Sequence, residues 1–253
     1  MGFVLFTASG TFKPSDYGLL VGDAIQVVCV GGGGGGGGHR LGTTRAAATN
    51  GLASSFGSYV TALGGNAGSC STSSSISSPT NGANAVERGT PGHMGEYRYV
   101  YIPYNFSSGA TYYIVYAHGG NGGNGWLPGV GVVEHTPTEY NFLPSNIAGK
   151  QTPVSGGRGN VGGSSGSSGS GNTYFNAGGL GGIGYGAGGG GCSVNQSPAG
   201  GGGGGQVTYA TVVLTDVTTG ITVTCGDGGT GCLSDYSQYY GGGGARGCVA
   251  VFW

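Results

Sequence analysis

The sequence predicts an all-β fold: a β-sandwich or jelly-roll-like core, essentially without α-helix, whose inserted glycine-rich tracts form a layer of polyglycine II-type helices. Three observations lead there. Short segments of β-branched and aromatic residues alternate with a period of two. Glycine supplies 65 of the 253 residues, and each glycine inside an α-helix costs about 1 kcal/mol against alanine. The glycines are gathered into tracts, and several tracts start where a strand pattern ends.

Phe3 to Thr7 opens the chain as a strand. Ala24 to Val30 follows, with Ile25, Val27 and Cys29 on one face, and eight glycines, Gly31 to Gly38, come directly after it. Tyr97 to Ile102 puts Tyr97, Tyr99 and Tyr101 on one side; Thr111 to Ala117 puts Tyr112, Ile114 and Tyr116 together. A hairpin closed by Pro103 to Ala110 would let these rows face each other as aromatic cross-strand pairs. Gln206 to Thr215, Gly220 to Cys225 and Cys248 to Trp253 complete the strands. The chain is read as one domain, 1–253. Its β core lies near 3–30, 97–117, 206–225 and 247–253, with glycine-rich or loop insertions near 31–96, 118–205 and 226–246.

Two accounts of the tracts are open. Mixed Gly/Ser chain is flexible linker, and Ser164 to Ser170 has that composition. The runs Gly31 to Gly38, Gly200 to Gly205 and Gly241 to Gly244 are pure glycine. An extended helix of three residues per turn points its N–H and C=O groups sideways, free to bond to neighbours. Only glycine lets backbones approach that closely. Eight residues at about 3.1 Å each would span roughly 25 Å. Ordering them costs about 1–2 kcal/mol per residue, so many lateral hydrogen bonds are required.

Formal charge is −1 at pH 7 and only 7% of residues are charged. Binding driven by phosphate neutralisation needs a basic surface, so nucleic acid is excluded as a partner. No apolar run approaches the roughly 18 residues of a spanning helix, so no membrane span is predicted. Met1 to Phe6 lacks the basic start and long apolar run of a secretory signal. The expectation is a cytosolic protein, or one released by cell lysis.

Motifs of enzyme sites fail their context. Gly157 to Gly162 fits GxGxxG, but no strand pattern precedes it and no helix follows. Gly162 to Gly166 fits GxSxG inside a Gly/Ser repeat, without the strand-to-helix turn of a nucleophile elbow. His39, His93, His118 and His135 share no ligand spacing, and no carboxylate pair of glycosidase type can be placed. The chain is read as not an enzyme, with no catalytic residue, metal or cofactor. Cys29, Cys225 and Cys248 lie in strand patterns and read as buried thiols. Cys70, Cys192 and Cys232 lie in Gly/Ser-rich loops and could pair. The separation of Cys225 and Cys232 would also suit a loop-closing bridge.

The candidate binding residues are aromatic: Trp126, Tyr174, Phe175, Tyr185, Tyr236, Tyr239 and Tyr240 lie between glycine tracts. Asp235 to Tyr240 has the Tyr/Ser composition of paratope loops, which combine rigid amphipathic rings with adaptable hydrogen bonding. Either these rings contact a receptor or they cap the glycine layer.

The two ends of the chain carry a resemblance. Phe6-Thr7-Ala8-Ser9-Gly10-Thr11-Phe12-Lys13-Pro14 leads into Gly22 to Val30 and the eight glycines; the other end is Gly241 to Gly244, Ala245-Arg246-Gly247 and Cys248 to Trp253. This resembles the glycine-rich domain of phage and prophage tail proteins, over roughly 3–38 and 206–253. In design it is similar to the polyglycine-helix tail-fibre-tip adhesins of T-even-like phages. The resemblance implies a virion protein, assembled in the host cytoplasm and released by lysis. Its role would be that of a receptor-binding tip, holding aromatic loops against a bacterial surface glycan or outer surface protein. Its other partners would be virion proteins, and a homotrimer is the oligomer common in fibres. A purely structural virion component without a specific ligand, such as a fibre, capsid decoration or plug, is the alternative expectation.

Overall fold

The computed structural model describes residues 2–38, 46–68, 96–101, 112–118, 122–128, 131–132, 161–167, 172–175, 184–191, 193–194, 197–198, 200–233 and 240–253. The described chain is essentially all-β, with one 3-10 turn, Pro14–Tyr17, closed by Gly18 in the left-handed conformation at φ 72°. The strands are β1 (Phe3–Phe6), β2 (Gly10–Phe12), β3 (Ala24–Val30), β4 (Ser54–Phe56), β5 (Val60–Ala62), β6 (Glu96–Tyr101), β7 (Tyr112–His118) and β8 (Trp126–Leu127). They continue with β9 (Gly131–Val132), β10 (Val161–Ser167), β11 (Asn172–Phe175), β12 (Ser193–Val194), β13 (Ser197–Pro198), β14 (Val207–Val213), β15 (Ile221–Thr224) and β16 (Cys248–Phe252).

Two four-stranded antiparallel sheets, ordered β1-β16-β3-β14 and β2-β15-β4-β5, supply the main core. Ile25, Val27, Cys29, Val212, Val249 and Val251 come from the first sheet; Phe12, Phe56, Val60, Ala62 and Val223 come from the second. Burying a side chain of this size contributes about 1.5–3 kcal/mol. Phe12 is the hub, stacked on Tyr17 at 4.9 Å between ring centres and touching Phe56 at 5.6 Å and Trp253 at 6.1 Å. Central strand β3 alternates exposed and buried as far as Val27, and then Val28 to Val30 are all buried. The cause is a second cluster on the outer face of that sheet, where Val28 and Val30 meet Trp126, Cys248 and Ala250.

The structure departs from the sequence expectation in several strands, among them β8, β9 and β11 to β13 inside the stretch read as an insertion. β4 and β5 lie inside what reads as an insertion; each has three residues, too few to show an alternating pattern, yet Phe56, Val60 and Ala62 join the core. Val161 to Ser167, which covers much of the stretch with linker composition, is strand β10, paired antiparallel with β7 and β11. The rows of β6 and β7 also combine differently. Tyr97, Tyr99 and Tyr101 stand opposite Ala117, Val115 and Tyr113, not opposite the set Tyr112, Ile114 and Tyr116. A one-residue shift of register exchanges faces, and the register of a hairpin is fixed by a connection that strand patterns do not reveal. β6 and β7 belong to a third sheet, ordered β11-β10-β7-β6.

Six core strands run straight into or out of glycine-rich segments. β3, β5 and β15 are followed by Gly31, Leu63 and Cys225; β4, β14 and β16 are preceded by Ala53, Gln206 and Gly247. The sheets therefore fix one end of every one of these segments. Loop closure costs little once the ends are held together.

Candidate functional site

The site is built on Gly31 to Gly37, every residue of which is buried. Successive N–H groups donate in three different directions, and each direction returns every third residue. Gly31, Gly34 and Gly37 donate to the carbonyls of Gln206, Gly203 and Gly200, at 2.9, 2.9 and 2.8 Å. Gly32 and Gly35 donate to Leu52 and Thr49; Gly33 and Gly36 donate to Ala245 and Gly242. The carbonyls follow the same rule. Gly32 and Gly35 accept from Gly65 and Gly68, Gly33 and Gly36 from Gly229 and Cys232, and Gly34 from Gly189.

Six segments thus surround the central run, and each is bonded to the next. Around the ring, Gly203 donates to Asn66, Gly51 to Gly65, Thr49 to Thr230, Gly241 to Cys232, Gly242 to Gly190 and Gly202 to Gly189. The neighbours that receive N–H groups from the central run are antiparallel to it, and those that donate to its carbonyls are parallel, so the two kinds alternate. An eighth segment lies outside the ring, with Gly123 donating to Gly202 and accepting from Gly188. Buried backbone groups are satisfied here by neighbours that are themselves neither α-helix nor sheet, as burial requires.

The spacing explains the composition. A Cβ placed on Gly34 would fall on the carbonyl of Asn66, one on Gly35 on that of Thr230, and one on Gly36 on that of Gly190. Three consecutive residues face three walls, and each wall is backbone. Larger side chains recur where the ring faces outward, while Ala187 and Cys232 are buried within it. Asp227, Thr230 and Leu233 are exposed at every third position of one segment, and Tyr240, Gly243 and Arg246 at every third position of the next. Thr49 and Thr230 lock two segments together through hydroxyls 3.1 Å apart. Arg246 Nε donates to Asp227 Oδ1 at 2.8 Å; both side chains are more than half exposed, so this pair contributes little.

The layer has two unlike ends. One is seated on the strands. At the other lie Gly38, Gly68, Gly191 and Leu233, together with Ala46, Gly122, Gly200 and Tyr240. Of the aromatic candidates, Tyr240 is at this far end and is 50% exposed. Trp126 is 3% exposed and packs on the outer face of β3 and β16. It is therefore removed from the contact set, because a ring that completes a core has no surface to offer. Tyr185 shares that cluster, half-buried, and its backbone bonds reciprocally with Trp126; it sits at the end next to the sheets. Tyr174 and Phe175 are in β11, where only the backbone pairing is described. Tyr236 and Tyr239 lie outside the described residues.

No family model, curated protein or solved structure matches the chain. Among the described residues, no group of three or more His, Cys, Asp or Glu could hold a metal ion, and no helix is long and apolar enough to cross a membrane.

Cysteine chemistry divides cleanly. Cys29, Cys225 and Cys248 are free and buried. Cys232 is disulfide-bonded, which excludes the bridge between Cys225 and Cys232 that their spacing suggested. Burial is the main reason that all three free thiols hold their protons more tightly than usual. Cys29 is pushed up to about 12, and Cys248 and Cys225 are raised as well. A pH dependence follows. In the unfolded chain these thiols ionise at the ordinary value of 9.0, whereas in the folded chain they stay protonated. Above pH 9 the unfolded state therefore binds fewer protons, and stability falls as pH rises towards 12. By pH 10 the loss should be about 1 kcal/mol for each of Cys29 and Cys248. Urea unfolding at pH 8 and pH 10 measures it, and the double variant Cys29→Ala, Cys248→Ala should remove that part of the decline.

Proposed function

We propose that this chain is a virion adhesin: a β-sandwich carrying a bundle of polyglycine II-type helices, which presents loops to a bacterial surface glycan or outer surface protein. The helix assignment draws on the three-residue return of every hydrogen-bond direction around Gly31 to Gly37. The adhesive role draws on the resemblance of the chain ends to phage tail glycine-rich domains. One observation carries it: Gly38, Gly68, Gly191 and Leu233 gather with Ala46, Gly200 and Tyr240 at the end of the layer away from the two core sheets, Leu233 donating to Ala46, Gly37 to Gly200 and Gly241 to Cys232. Holding loop ends on a stiff platform lowers the ordering cost of binding.

The test uses the labelled chain and a panel of bacterial cells and purified surface polysaccharides. On a surface that adsorbs the parent, Tyr240→Ala together with Tyr236→Ala and Tyr239→Ala should weaken adsorption by about thirtyfold, the scale of an aromatic hot spot. Trp126→Ala should lower stability instead. Unchanged adsorption in the triple tyrosine variant would remove these rings from the contact. A second, purely structural reading has its own observation. Leu20 and Val21 are 67% and 65% exposed beyond the opposite end of β3, an apolar pair suited to seating in a larger assembly.

A further inference from the structure

We infer that strand β14 is a docking edge for a second copy of this chain: two copies join by pairing β14 with β14, antiparallel, about a two-fold axis through Ala210. The two core sheets have four edges. β2 and β5 have three residues each and β1 has four, but β14 has seven, Val207–Val213. Shortness is one way in which an edge avoids unwanted pairing; charge, proline and bulges are others. β14 uses none of them. It holds no charged residue and no proline, and its register against β3 runs unbroken from Val207 opposite Val30 to Val213 opposite Ala24.

Among the described residues, β3 is the only strand paired with β14. The direction of its bonds follows from its two ends. Gly31 donates to the Gln206 carbonyl and Leu214 donates to the Asp23 carbonyl, both at 2.9 Å. Bonding alternates along an antiparallel strand, so Thr208, Ala210 and Val212 turn N–H and C=O towards β3. Val207, Tyr209, Thr211 and Val213 turn theirs outward. At the layer end Gln206 gives its N–H to the Leu63 carbonyl, and the open edge starts after it. Side chains alternate as well. Val212 is in the core and Ala210 packs against it, whereas Tyr209 and Val213 are 63% and 57% exposed and Thr211 is exposed too.

A second β14 fits both alternations. With the axis at Ala210, Tyr209 stands opposite Thr211 of the other copy, and Val207 stands opposite Val213. Every one of these pairs joins outward-turned groups, for about eight backbone hydrogen bonds in all. The same register keeps Ala210 and Val212 on the core side in both copies. On the exposed face it sets an aromatic ring against a β-branched residue twice, a favourable cross-strand pair. Such self-pairing is the closed, isologous contact of two-fold dimers. The opposite edge of the sheet offers less. Gly2 and Trp253 exchange both their backbone bonds, so on β1 only Phe3 and Leu5 turn outward.

Sedimentation equilibrium of the full chain tests this between about 1 and about 100 µM, where an interface of modest size dissociates. The parent should be a mixture of monomer and dimer without larger species. Tyr209→Lys combined with Thr211→Lys sets like charges opposite each other at both central pairs, and should weaken the dimer at least about tenfold. Tyr209→Glu combined with Thr211→Glu should do the same. An equimolar mixture of the two variants should restore the dimer, because opposite charges then face each other. A second measurement needs no variant. Raising the concentration of the parent should slow amide exchange at Tyr209, Thr211 and Val213, but not at Ala210 or Val212. A parent that stays monomeric at the highest concentration overturns the proposal. So do a dimer that both lysine and glutamate variants leave intact, a mixture of variants that stays monomeric, added protection elsewhere but not in β14, and growth into trimers or open polymers.

Discussion

Alanine at Gly244 will cripple the fold, whereas alanine at Gly243, its immediate neighbour in a run of four glycines, will be tolerated. A Cβ on Gly244 would fall on the carbonyl of Gly33 in the central run, and the Gly244 N–H is committed to Gly229 at 2.8 Å. Neither wall can retreat, because Gly33 is itself bonded to Ala245 and Gly229. Displacing them strains the packing and breaks several backbone bonds, together costing about 3–6 kcal/mol. That is a large part of the 5–15 kcal/mol typical of a domain, and corresponds to a fall in Tm of roughly 10–20 °C. Gly34→Ala, blocked by the Asn66 carbonyl, should be at least as damaging. At Gly243 the nearest atom to an added Cβ is the Gly229 carbonyl oxygen at 3.7 Å, and the residue is exposed. Its alanine variant should stay within about 0.5 kcal/mol of the parent. Thermal unfolding of the two single variants decides the matter. A slack tether would treat the two neighbours alike, so equal Tm values would mean that the tract is not packed as described.

Much of this architecture is legible in the sequence. β3 and β16 stand out because Ile25, Val27, Val249 and Val251 alternate or cluster as core strands do, and the pure glycine runs mark where side chains cannot fit. A finer signal is also present. In Asp227-Gly228-Gly229-Thr230-Gly231-Cys232-Leu233 the exposed side chains recur every third residue, the period of an extended three-residue helix with one free face. The same spacing separates Tyr240, Gly243 and Arg246. What composition hides is which segments touch. Nothing in the run Gly31 to Gly38 distinguishes Gly34 from Gly35, although one faces Asn66 and the other Thr230. Trp126 misleads for a related reason. It sits among glycines, as a loop residue would, but a neighbouring sheet face is close enough to bury it. β4 and β5 are missed because Ser54-Ser55-Phe56 reads as loop until its partner strand β15 is known.

Ser54 is where the two kinds of structure are joined, and Ser54→Ala should cost about 2–5 kcal/mol. Its side chain is wholly buried. The hydroxyl donates to the Val30 carbonyl at 2.6 Å and accepts from the Gly226 N–H at 2.9 Å. Val30 is the last residue of β3 before the central run, Gly226 lies just beyond β15, and Ser54 opens β4. Gly247, the residue before β16, comes in so close that a Cβ there would meet Ser54 Oγ at 2.6 Å, and its N–H donates to Gly226 at 2.9 Å. Four chain crossings between sheet and layer therefore converge on one hydroxyl. A strand pairs with a neighbour on either side in one plane, while a layer segment bonds in three directions, so the change of pattern leaves groups that neither partner can use. Ser54 satisfies one acceptor and one donor of that kind. Alanine would leave both without that partner at a fully buried position. Urea unfolding of Ser54→Ala, with exchange of the Gly226 amide followed in parallel, measures the cost. A variant within about 0.5 kcal/mol of the parent, with that amide still protected, would show that the junction is held by the sheets and layer alone.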